Sequence, residues 1–114
     1  SGKLLPFKID ADALTDEYIE HIADYIASQT EFGMVEGIQP GGRRLADALE
    51  KYAVWEAPFN ILIVDDVCIT ASLMKKAKAD QPPQVHEDDI LGWTIFACGE
   101  LPEWVHTVFQ MQSL

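Results

Sequence analysis

Basic residues are scarce in this chain. Its 114 residues include 8 Lys and Arg against 19 Asp and Glu, a formal net charge of −11. Surfaces that dock on DNA or RNA neutralise phosphates with clustered cations, so this balance argues against nonspecific nucleic-acid binding. It argues equally against docking on an anionic membrane. Cysteine is scarcer still. Cys68 and Cys98 stand thirty residues apart, which is neither a disulfide framework nor a zinc pattern. Both lie in apolar stretches and are expected to be buried free thiols in a reducing cytoplasm. No apolar run approaches the roughly 18 residues of a membrane helix. The opening Ser1-Gly2-Lys3 carries no apolar signal segment. Internal repeats and low-complexity tracts are missing too. What remains is an ordinary globular composition, 48% hydrophobic and 24% charged. It suffices for a single domain over residues 1–114 with its own core.

The order of elements predicts the fold class. Residues 3–9 form a short apolar segment, a lead-in strand or a packed arm. Thr15 is placed to cap a helix whose first turn holds Asp16 and Glu17. Ile19, Ile22, Ala23 and Ile26 share one face of it, and it is expected to run to about Ser28. Residues 33–38 read as a strand, with a turn at Gln39-Pro40-Gly41-Gly42. Leu45, Leu49 and Tyr52 mark a second amphipathic helix. Residues 60–65 (NILIVD) are the strongest strand, apolar on both faces as in a parallel sheet. A third helix is predicted over 70–79, a polar connector over 80–89 and a buried strand over 90–98. The tail adds a short turn after Pro102 and a last apolar segment, VHTVFQM. Helices and strands alternate, which predicts an α/β three-layer sandwich with a mostly parallel central sheet and right-handed crossovers. Ligands of such sheets bind beyond the carboxyl ends of the strands.

Two such places hold suitable residues. At the first, Gly41-Gly42 joins a strand to a helix, and the only arginines, Arg43 and Arg44, occupy that helix's first turn. This is either a phosphate or pyrophosphate cradle or a tight turn with surface arginines. At the second, Asp65 and Asp66 follow the most hydrophobic run. Two like charges beside a buried strand are costly unless something pairs with them. Ribose hydroxyls, a magnesium ion or a nearby cation would serve. Cys68-Ile69-Thr70-Ala71-Ser72 then opens a helix whose hydroxyls and free N–H groups suit a monophosphate. The bland alternative is a solvated acid pair, with Thr70 merely capping the helix.

An apolar strand ending in Asp-Asp also opens the receiver domains of two-component signalling. Those need a later strand ending in Asp and another ending in Lys, and no Lys follows Lys78 here. The segment from Ile61 to Ser72 more closely resembles the 5-phosphoribosyl 1-diphosphate (PRPP) signature of type I phosphoribosyltransferases. Val35-Glu36-Gly37-Ile38-Gln39-Pro40-Gly41-Gly42, through Leu45-Ala46, is similar to the pyrophosphate loop of orotate-type members. The resemblance spans roughly residues 30–100. It implies that Asp65 and Asp66 take the ribose hydroxyls. Cys68, Ile69, Thr70, Ala71 and Ser72 would take the 5-phosphate. Gln39, Pro40, Gly41, Gly42 and Arg43 would take the pyrophosphate, with magnesium bridging and no protein side chain assigned to the metal. The implied function is binding of PRPP or a nucleoside monophosphate by a cytoplasmic homodimer. The implied reaction is displacement of pyrophosphate at ribose C1 by a nitrogen base.

Two departures from the family separate binding from catalysis. The family loop reads Thr-Thr-Gly-x-Ser/Thr, whereas this chain has Ile69-Thr70-Ala71-Ser72-Leu73. Either Ala71 replaces the glycine or one residue is missing. Full enzymes also insert strands and a mobile catalytic loop between the Gly-Gly helix and the Asp-Asp strand. Only the seven residues Ala53 to Phe59 fill that gap here, too few for a lid. Weak or absent transferase activity is therefore expected, and a non-catalytic sensing or interaction module is the alternative. Elsewhere, His21 is expected on the surface, and His86-Glu87-Asp88-Asp89 as a solvated run. Trp55, Trp93 and Trp104 are candidates to stack on a base. For Trp93, Trp104 and Phe109, packing or dimer contacts come first.

Overall fold

The computed structural model describes residues 13–56 and 60–111. The apolar segment at 3–9 lies outside them. Helix α1, Asp16–Gln29, starts where Thr15 accepts a hydrogen bond from the Tyr18 amide at 3.1 Å. Its buried face is Ile19, Ile22, Ala23 and Ile26. Strand β1 is Met34–Gly37 and helix α2 is Arg43–Leu49, continued by a 3-10 turn at Glu50–Tyr52. Strand β2 is Ile61–Cys68 and helix α3 is Ser72–Ala79. After a 3-10 turn at Glu87–Asp89 come β3, Ile90–Cys98, and β4, Val105–Met111.

The four strands lie in the order β1-β2-β3-β4, and each neighbouring pair is parallel. Alternate residues of a strand face opposite sides, and the core divides accordingly. Leu62, Val64, Trp93 and Ile95 pack beneath α1 and α2. Ile61, Ile63, Ile90 and Val105 pack with Ala71 and Met74 on the other face, joined by Ala97, where the alternation of β3 breaks after Ile95. The result is the expected α/β sandwich of three layers.

Two expectations change. The VHTVFQM tail is β4, reached from β3 by a six-residue return, Gly99 to Trp104, with no helix. Parallel neighbours usually need a dozen or more residues between them. The short return works because Gly92 carries no side chain. A Cβ there would meet Trp104 and Val105 within 3.0 Å. Second, the crossovers are not both right-handed. β1–α2–β2 and β2–α3–β3 step across the sheet in the same direction, yet α2 and α3 cover opposite faces. The two therefore have opposite hands, and one breaks the usual right-handed rule.

Candidate functional site

The Asp-Asp pair joins the two loops that sequence reasoning singled out. β1 pairs with β2, so their carboxyl ends emerge side by side. The Ile38 amide donates to the Val64 carbonyl at 2.8 Å, and the Gly42 amide donates to the Ile38 carbonyl at 2.7 Å. These bonds fold the Gly-Gly turn back onto β2. The glycines are needed by the chain itself. A Cβ on Gly41 would collide with the Asp66 carboxylate, and one on Gly42 would lie 2.5 Å from the Val64 carbonyl oxygen.

The two acids do not end the strand, as NILIVD suggested. β2 continues through Val67 to Cys68. The acids are tolerated there because each carboxylate takes the next amide. Asp65 Oδ1 accepts from the Asp66 N–H at 2.8 Å, and Asp66 Oδ1 accepts from the Val67 N–H at 2.7 Å. The side chains serve different sides of the site. Asp66 abuts Gly41. Asp65, only 7% exposed, lines a cavity of about 200 Å³ on the α3 side. Burial, and then the neighbouring Asp66 carboxyl, push Asp65 up to about 7.

The cavity brings together the residues expected to take a 5-phosphate, with Asp65 beside them. Asp65, Cys68, Ile69, Thr70, Ala71 and Ser72 all line it. Thr70 is not the N-cap residue of α3, and its Oγ1 takes only a long bond from the Ser72 N–H, at 3.5 Å. The helix starts two residues later than expected, at Ser72, with Ala71 as its N-cap residue and no side-chain cap bond. The Thr70 and Ser72 hydroxyls instead lie 2.9 Å from each other. Ala71 adopts the left-handed conformation, φ 61°, which for a non-glycine residue costs about 1 kcal/mol or more. Alanine thus takes up a glycine-like geometry, and its methyl is buried with Cys68 and Met74. The first helical bond of α3 runs from the Lys75 amide to the Ala71 carbonyl. The amides of the turn before it have no helical acceptor. Cys68 is buried, and burial raises its thiol, which accepts a bond from the Ala71 amide.

Sequence reasoning missed Val67, Leu73 and Met74 in the lining. Ile69 and Leu73 are 66% and 58% exposed and form an apolar lip. Their i, i+4 spacing was the available signal.

Of the pyrophosphate candidates, Gln39 and Pro40 are exposed at the turn, Gly42 is buried and Arg43 is free to reach solvent. Arg43 lies 3.9 Å from exposed Asp47. Arg44 is committed elsewhere. It donates to the Leu14 carbonyl at 2.7 Å and to Asp16 at 3.0 Å, tying α1 to α2.

The remaining candidates stay outside the site. His21 and His86 are exposed, and Cys98 is half-buried where full burial was expected. Trp93 is core; its Nε1 donates to Thr30 at 2.8 Å. Trp104 packs over Gly92 beneath the Lys78 ammonium, and Phe109 stacks on Phe96. Among the described residues no cluster of three or more His, Cys, Asp or Glu is arranged to hold a metal ion. Among them, too, no helix is long and apolar enough to cross a membrane. Neither a protein-family model nor a curated protein matches the chain.

Proposed function

We propose that this chain is a shortened, phosphoribosyltransferase-like domain that binds PRPP or a nucleoside monophosphate. The observation that carries the proposal is the placement of the acid pair. Asp66 touches the Gly41 turn while Asp65 lines the cup at the start of α3. A ribose lying across that pair would meet carboxylates along its hydroxyl edge. Its 5-phosphate would enter the cup, and a 1-diphosphate would reach Gln39 to Arg43.

Magnesium would come with the ligand, as the counter-ion of its diphosphate. With seven residues in place of a lid, water has access to ribose C1, and transferase activity is weak or absent. We place the protein in the cytoplasm as a homodimer.

A sensing or interaction module that keeps only the fold is favoured by one observation. The chain's own contacts already account for Gly41 and Gly42. Calorimetry with PRPP and magnesium separates the two. Binding is expected to be saturable, and Ser72→Asp is expected to weaken it at least tenfold. Ser72 is exposed at the helix start, where an acid is favourable for folding, so the loss would report charge in the cup. No heat from the wild type at millimolar PRPP favours the interaction module.

A further inference from the structure

The phosphate cup has a charge problem. Its proposed ligand is an oxyanion, yet among the described residues no Lys, Arg or His lines the cavity, and a carboxyl group does. That carboxyl, on Asp65, is 7% exposed, in a chain of net charge −11. An oxyanion beside a buried carboxylate, with no cation between them, is strongly disfavoured.

The groups facing Asp65 offer no remedy. From β2 they are Asp66 and Cys68, and from β3 Thr94 stands opposite in register, with Cys98 beside Cys68. The loop and α3 contribute Thr70, Ser72 and Met74, none of them charged. Among the described groups, what can offset the charge is a proton on the carboxyl. The same burial that creates the problem makes that proton accessible, holding Asp65 up to about 7. A neutral carboxylic acid also becomes a hydrogen-bond donor, which an oxyanion can use.

We infer that the cup takes up its oxyanion together with a proton on Asp65, so that a phosphate ester is held by helix-start amides, two hydroxyls and a neutral acid in place of a basic side chain. This rests on the phosphate-cup assignment above and adds the charge state and pH dependence of that cup. The ligand class is then a phosphomonoester that needs no metal at this end. Affinity rises as pH falls through 7.

Sulfate is the probe, because its charge is constant from pH 6 to 8 whereas that of phosphate is not. Titration calorimetry on the whole chain at fixed ionic strength is expected to show sulfate affinity falling about tenfold from pH 6 to pH 8. Repeating it at pH 7.5 in buffers of different ionisation heat is expected to show about 0.8 proton taken up per sulfate bound. Asp65→Asn is expected to bind sulfate with nearly pH-independent affinity, which assigns the dependence to Asp65 rather than to another group of the chain. If that variant does not fold, the proton count on the wild type decides. Binding without proton uptake, or a tenfold dependence that survives in Asp65→Asn, overturns the inference and leaves the cup standing. No sulfate binding at either pH overturns both.

Discussion

Replacing Gly42 by alanine is expected to cost about 3 kcal/mol of stability and to lower the thermal midpoint by roughly 10 °C. The reason is steric. Gly42 has an ordinary φ of −83°, so alanine could adopt its backbone conformation. The added Cβ, however, would lie 2.5 Å from the Val64 oxygen and 2.8 and 2.9 Å from the Ile38 nitrogen and oxygen. All three are backbone atoms, and they are bonded to one another or to Gly42 itself: Ile38 N–H to Val64 O, and Gly42 N–H to Ile38 O. The turn cannot move off without opening the junction between β1 and β2. Gly41→Ala is the informative contrast, because the three atoms nearest its Cβ would all belong to the Asp66 side chain. That carboxylate can swing away at the loss of its bond to the Val67 amide, a cost of about 1 kcal/mol. In an Asp66→Ala background, Gly41→Ala is then expected to be nearly neutral. Thermal unfolding followed by circular dichroism measures all four chains. An unchanged midpoint for Gly42→Ala would show that the turn does not pack on β2 as described.

At pH 8, Asp65→Asn is expected to be more stable than the wild type by about 2 kcal/mol, and the gain to shrink by about half at pH 5.5. The sign follows from proton counting. Burial first, then Asp66, raise the Asp65 carboxyl from an ordinary 3.8 to about 7 in the folded chain. Between those values the native state holds a proton that the unfolded state has released, so stability falls as pH rises through this window. Below it both states are protonated and no penalty arises. Above it the whole penalty stands. A fully buried carboxyl with this shift would lose about 4 kcal/mol, and solvent in the open cup reduces that to about 2 kcal/mol. Asparagine keeps an oxygen for the Asp66 N–H while removing the charge. Urea unfolding at the two pH values measures the effect. Equal stability of both chains at pH 8 would mean that Asp65 is not held in a dehydrating site.

Much of this was legible in the sequence, and what was hidden depended on contacts between distant residues. The continuous apolar run of Ile61 to Val64 marks a strand buried on both faces. Its continuation past Asp65 and Asp66 was hidden, because adjacent acids read as a strand end until each carboxylate is seen taking the next amide. The Gly-Gly turn was evident, but the need for glycine comes from Val64 and Asp66, more than twenty residues away in the chain. Thr70 has the chemistry of a cap, and only the left-handed Ala71 moves the helix start past it. The tail could not be read as a parallel strand, since a six-residue return is feasible only where Gly92 leaves room for Trp104. The hand of a crossover is set by which face each helix covers, which apolar spacing alone does not reveal. That Cys68 to Ser72 would sit together was legible because they are contiguous, whereas the share of Val67, Leu73 and Met74 in the same cavity was not.

The most direct test is an amide NMR titration of the 15N-labelled chain with ribose 5-phosphate, which carries the sugar and the phosphate without base or diphosphate. Saturable shifts are expected at Asp65, Asp66 and Thr70 through Met74, with smaller ones at Gly41 and Gly42. Millimolar ligand that leaves those amides unmoved, or moves only those around Lys78, Glu87 and Trp104, would contradict a sugar-phosphate site built on the acid pair.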